Sequence, residues 1–210
     1  MSITEYISAQ FQKPTGLGGM MSTFLMNTIN RRQYSEVWKE LSLKNGERVL
    51  DVGFGNGFML QRLARRHKCD YFGIEISQDM VAAANKRNAH AVADRWMNLT
   101  SGDIVKTDFE SGFFDKIYTI NTVYFWDDLL VGLTQIHRIL KDGGIFINAI
   151  YSREWLDKLK YTRTGFAKYA LDELTWTGEQ CGFTVRILPI AKGKSYCIIY
   201  IKQPVAVQED

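Results

Sequence analysis

A chain of 210 residues with 46% hydrophobic content is long enough to fill the core of one α/β domain and too short for two full ones. Its net charge of +3 is too weak for a dedicated nucleic-acid face. The clusters Arg65-Arg66-His67-Lys68 and Lys86-Arg87 read as solvated helix ends, so no nucleic-acid partner is expected. Cys69, Cys181 and Cys197 are odd in number and widely spaced, which argues against a disulfide framework or a zinc site, and no metal is expected. Met1 to Gln12 has no basic stretch followed by an apolar one, and no apolar run approaches ~18 residues, so the expectation is a soluble cytoplasmic protein without a membrane partner.

In chain order, residues 1 to 45 are expected to form an N-terminal helical cap or lid, and residues 46 to 210 a single globular unit. Pro14, Gly16, Gly18 and Gly19 suggest a hinge before helix-like stretches at Ser22 to Asn30 and Tyr34 to Leu41. An apolar run, Val49-Leu50-Asp51-Val52, then enters Gly53-Phe54-Gly55-Asn56-Gly57. This reads as a strand whose C-terminal end opens into a ligand-binding loop, because glycines permit positive φ and close approach of a ligand to the backbone. The dinucleotide fingerprint would need glycine where Phe58 stands, which favours an adenosine ligand other than a dinucleotide and weakens the reading as an NAD-dependent oxidoreductase.

Gly57 to Arg66 carries Leu60, Leu63 and Ala64 at helical spacing, and Tyr71 to Ile76 is a short apolar strand ending at Glu75 and Ile76. Ser77 suits the N-cap of a helix with Met80, Val81 and Ala84 on one face. Trp96 to Thr100 predicts a third strand running into Ser101-Gly102-Asp103-Ile104, and Phe114 to Ile120 a fourth. Asp127 to Leu140 has a helical stripe of Leu129, Leu133, Ile136 and Leu140, and Gly144 to Tyr151 predicts a fifth strand. Phe183 to Ile190 and Ser195 to Lys202 are hairpin-spaced, with Pro189 near a strand end where a missing N–H is tolerable. The predicted fold is a three-layer α/β sandwich whose mostly parallel seven-stranded sheet is closed by an antiparallel C-terminal hairpin strand. Ser152 to Tyr169 falls outside the alternation and, like the N-terminal segment, is a candidate cover for the ligand-bearing edge. His67, His90 and His137 have no metal-ligand spacing and read as surface or packing residues.

The order of these motifs resembles the class I S-adenosylmethionine-dependent methyltransferases, of the Rossmann-like kind, from about residue 45 to 203. The resemblance implies a cofactor site made by Asp51, Gly53, Phe54, Gly55, Gly57, Glu75, Ile76, Asp103, Ile104 and Asn121. Within it Glu75 would hold the ribose hydroxyls, Asp103 and Ile104 would lie beside the adenine, and the loop from Asn121 would approach the methionine part. Leu140-Lys141-Asp142-Gly143-Gly144 resembles the family's turn into its fifth strand. Asn121-Thr122-Val123-Tyr124 departs from the Asn-Pro-Pro-Tyr motif of the amino-methylating DNA enzymes and is similar to the small-molecule branch. Tyr34, Trp38, Tyr124, Trp126 and Tyr151 are candidates for the acceptor pocket, where aromatic faces attract a cationic donor or acceptor. The implied activity is in-line methyl transfer to a small molecule, with S-adenosylhomocysteine as product, in a monomer or homodimer. Alternatives are a non-catalytic S-adenosylmethionine-binding partner subunit and a methyltransferase acting on protein or RNA. No catalytic base is identifiable.

Overall fold

The computed structural model describes residues 29 to 204. The expected hinge around Pro14 and most of the helix expected from Ser22 lie outside the described residues. Seven strands form one sheet: β1 Arg48–Val52, β2 Asp70–Glu75, β3 Met97–Ser101, β4 Phe114–Ile120, β5 Leu140–Tyr151, β6 Phe183–Ala191 and β7 Ser195–Lys202. Their spatial order is β3-β2-β1-β4-β5-β7-β6, and every pair is parallel except those made by β7, which runs antiparallel to both β5 and β6. The expected sheet is thus present, with β7 slotted inside it and β6 at the edge. That edge position leaves Pro189 beside a register shift rather than within a continuous ladder.

Among the described residues the α-helices are α1 Arg31–Leu41, α2 Phe58–Ala64, α3 Gln78–Arg87, α4 Ala89–Ala93, α5 Leu129–Ile139, α6 Arg153–Leu156 and α7 Leu171–Gln180. Alternation along the strands sends successive side chains to opposite faces and makes two cores. Ile117, Phe146, Ile198 and Tyr200 meet Leu133 and Ile136 of α5 and Leu174 of α7 on one face. Tyr118, Ile147 and Ile199 meet Val37 and Leu41 of α1 and Leu60 and Leu63 of α2 on the other. The first core is stacked through its middle, Trp126 to Phe146 at 6.3 Å and Phe146 to Tyr200 at 5.2 Å between ring centres.

Two features differ from the sequence reading. β5 starts at Leu140, which pairs with Phe114 before a turn through Gly143 returns the chain to pair Ile145 with Lys116. Helix α7 was not expected. Its Gly178 and its threonines weaken a helical signal, yet they serve packing. A Cβ on Gly178 would run into the Tyr200 ring, and Thr175 and Thr177 turn their hydroxyls back to the carbonyls of Leu171 and Glu173 at 2.8 Å. Among the described residues no helix is long and apolar enough to cross a membrane.

Candidate functional site

β1 has β2 on one side and β4 on the other, so the connections leaving β1 and β4 part at their C-terminal ends and leave a crevice there. A cleft opens at this point, with a volume of about 220 Å³. Asp51, Gly53, Phe54, Gly55, Glu75, Ile76, Asp103, Ile104 and Asn121 line it, together with Tyr34 and Trp126. Gly57, Trp38, Tyr124 and Tyr151 do not.

The glycine loop shows why one glycine differs from the others. Gly53, Gly55 and Gly57 all have positive φ, at 76°, 54° and 71°. The Gly53 N–H donates to the Ile74 carbonyl at 2.8 Å, and a Cβ at this position would run into the Thr122 side chain. A Cβ at Gly57 would instead meet Asn88 Nδ2 at 2.7 Å and Ala84 Cβ at 2.9 Å. Gly57 therefore lets α2 start close against α3.

Two carboxylates stand at neighbouring strand ends. Glu75, buried at the end of β2, accepts the Gly55 N–H on Oε2 and the Ser77 N–H on Oε1, both at 3.0 Å. Burial pushes its carboxyl up, while the amide donors from Ser77, Gly55 and Ile76 pull it back. Asp51, at the end of β1, accepts the Tyr118 hydroxyl at 2.7 Å. Its burial, partly offset by that hydrogen bond and reinforced by the charge of Glu75, pushes it up to about 8. Asp103 caps the single helical turn after β3, accepting the Val105 N–H at 3.2 Å, and Ile104 beside it is buried.

Beyond β4, Asn121 takes a positive φ of 60° and is held from three sides. Its N–H donates to the Ala149 carbonyl at 2.9 Å, and its side-chain amide pairs reciprocally with Gln33 of α1, at 2.7 and 3.1 Å. The Tyr124 hydroxyl donates to Asn121 Oδ1 at 3.3 Å or the Tyr151 carbonyl at 3.2 Å and accepts the Tyr151 N–H. The Tyr151 hydroxyl in turn donates to Asn30 Oδ1 at 3.0 Å. Tyr124 and Tyr151 thus brace the loop to β5 and to the start of α1 from behind the cleft wall. Trp38 faces a separate hollow between α1 and α2.

Among the lining residues, sequence reading did not single out Asn30, Asn56, Phe58 or Met59, while Thr122, Phe125 and Asp127 fall in the stretch from Asn121 that it set against the methionine part. It also missed Gln33, for which a signal existed: it shares the buried stripe of α1 with Val37 and Leu41, and a polar side chain in such a stripe needs a partner. Among the described residues no three His, Cys, Asp or Glu side chains gather as a metal site.

A sheet of this order with acids at the ends of β1, β2 and β3 around a glycine loop defines the class I S-adenosylmethionine-dependent methyltransferases. Residues 50–148 match the family model described as "Methyltransferase domain", and the chain belongs to this methyltransferase family. It is 30% identical over 126 residues to the "uncharacterized methyltransferase YdaC" of Bacillus subtilis, an alignment covering 60% of this chain and 67% of that one. It is 31% identical over 134 residues to sterol 24-C-methyltransferase of Saccharomyces cerevisiae, covering 64% of this chain but only 34% of the yeast protein. A chain from the Haloferax volcanii complex containing the Trm112 methyltransferase activator superposes with a TM-score of 0.76 at 19% identity, over 86% of this chain and 92% of that one. That last likeness shows the shared fold.

Proposed function

We propose that this chain transfers the methyl group of S-adenosylmethionine to a small-molecule acceptor, releasing S-adenosylhomocysteine, with the cleft at the ends of β1, β2, β3 and β4 as the site. The residues present suit that cofactor. The supporting observation is Glu75, buried at the cleft edge with its carboxylate oriented by the backbone amides of Gly55, Ser77 and Ile76, which leaves acceptor capacity for a ribose hydroxyl. Asp103 offers an acceptor and Ile104 an apolar surface to an adenine, while Asp51, Gly53, Phe54, Gly55, Ile76 and Asn121 line the remainder. Of the cap expected over residues 1 to 45, the described helix α1 contributes Tyr34 to the cleft.

S-adenosylmethionine, when bound, supplies a methyl group already activated on a sulfonium. The protein's task is then to hold a nucleophile ~3 to 3.5 Å from that carbon in line with the breaking bond and to keep water away. Tyr34, Phe125 and Trp126 give the cleft the aromatic walls such exclusion needs, and their faces favour a cationic group. The relative named as a sterol methyltransferase acts on a small molecule, which supports a small-molecule acceptor here.

Calorimetric titration with S-adenosylmethionine, S-adenosylhomocysteine and NAD tests the reading. Binding of the two S-adenosyl ligands, on the order of micromolar and without NAD binding, is the expected result. Silence from both S-adenosyl ligands overturns it. Methyl transfer from labelled donor to protein or RNA, with none to a metabolite pool, would replace the small acceptor with a macromolecular one.

A further inference from the structure

Beside the cleft, between α1 and α2, lies a second hollow of about 480 Å³ that the methyl-donor site leaves unused. Arg31, Ser35 and Trp38 follow one another along one face of α1, opposite the buried stripe of Gln33, Val37 and Leu41. Arg62 and Arg66, one helical turn apart, face them from α2 and the turn after it. Tyr34 lines both this hollow and the cleft, so the two cavities share a wall.

Of the four cations that line the hollow, one is paired. Lys39, at the rim, is paired with Glu36 at 3.2 Å and Glu40 at 3.6 Å. Arg31, Arg62 and Arg66, all exposed, meet no carboxylate within salt-bridge distance among the described residues, so three unpaired guanidiniums border one cavity. One of them is also oriented: the Arg62 guanidinium lies 5.6 Å from the ring centres of both Trp38 and Phe58. An arginine held by cation–π contacts keeps its N–H donors free, and their fork matches the oxygens of a phosphate.

We propose that this hollow binds a phosphate group carried by the methyl acceptor, holding the acceptor's other end toward the cleft past Tyr34. The proposal rests on the cleft being the methyl-donor site. The phosphate belongs either to a soluble phosphorylated metabolite or to a lipid headgroup, which present the same oxygens to the arginines.

The test compares the unaltered chain with Arg62→Gln/Arg66→Gln and with Lys192→Gln, an exposed charge in the β6–β7 turn. Each is titrated with inorganic phosphate, sedimented with phosphatidylcholine vesicles with and without phosphatidic acid, and separately titrated with S-adenosylhomocysteine. The double variant is expected to lose about tenfold or more in affinity for phosphate, for acidic vesicles or for both, and to keep its S-adenosylhomocysteine affinity, while Lys192→Gln changes neither. Dependence on the two arginines in the phosphate titration without vesicle binding assigns a soluble acceptor. Arginine-dependent vesicle binding assigns a lipid headgroup. If the unaltered chain binds neither probe, or the double variant binds as well as it does, the proposal is overturned. Tighter arginine-dependent binding of a short single-stranded RNA overturns it in favour of a nucleic acid. Failure of the unaltered chain to bind S-adenosylhomocysteine removes the reading of the cleft, and that result is separate from the phosphate titration.

Discussion

Asp51 links burial to pH. A carboxyl pushed up to about 8 in the folded chain is neutral where an unfolded chain would already be ionised. Its contribution to stability is therefore fully present below the ordinary carboxylate pKa of ~4 and is lost as pH rises toward 8, the sign opposite to that of a salt-bridged aspartate. The upward push on Glu75 acts in the same direction. Asp51→Asn, which still accepts the Tyr118 hydroxyl, is expected to flatten the fall in thermal midpoint between pH 5 and about 8 and to be at least as stable as the parent at pH 8, an effect of a few kcal/mol at most. A pH slope unchanged by the substitution would place the titration elsewhere. For Glu75→Ala, the expected loss is about 1 to 3 kcal/mol of S-adenosylhomocysteine affinity by calorimetry, from removal of a charged acceptor. Gly57→Ala should separate packing from binding: a Cβ against Asn88 and Ala84 at a φ of 71° costs about 1 to 3 kcal/mol of stability in urea, while the folded fraction keeps its ligand affinity.

At the level of elements, α1 is tied to the cleft by one buried amide pair. Gln33→Ala leaves the Asn121 amide without its partner from α1, and the urea midpoint should fall by the equivalent of about 1 to 3 kcal/mol with an unchanged m-value. Such ties explain what could be read from the sequence and what could not. The strands were legible because strands buried on both faces are short apolar runs, and Ser195 to Lys202 coincides with β7 to the residue. The lining residues just after strands, Glu75, Asp103 and Asn121, were legible because the fold dictates where strand ends meet. Helix α7 was not, since Gly178 earns its place only through Tyr200, a residue distant in sequence. The roles of Tyr124 and Tyr151 were hidden for the same reason: the sequence marks them as aromatic, but their hydroxyls are directed by Asn30, Asn121 and the end of β5. The packing of Gly57 against α3 was not legible, because a glycine needed for helix packing and one needed for a ligand look alike in a loop.

For the whole molecule, the two cores are unequal in how they hold the sheet. Phe146 lies stacked between Trp126 and Tyr200 and so joins the cleft wall to the inserted strand β7. Phe146→Ala should cost about 3 to 5 kcal/mol in chemical unfolding and loosen both regions together, whereas a loss near 1 kcal/mol would mean that the neighbours collapse into the space. β7 also imposes an order on assembly. It is the seventh strand in the chain yet the sixth in space, between β5 and β6. While a ribosome is still making residues 195 to 202, the backbone groups of β5 from Ile145 to Tyr151 that later face β7 have no strand to pair with. They border some of the most apolar sequence in the protein. The nascent chain thus carries an open, sticky edge until its final strand emerges, and slow translation or crowding at that stage favours pairing with another chain over completion of its own sheet.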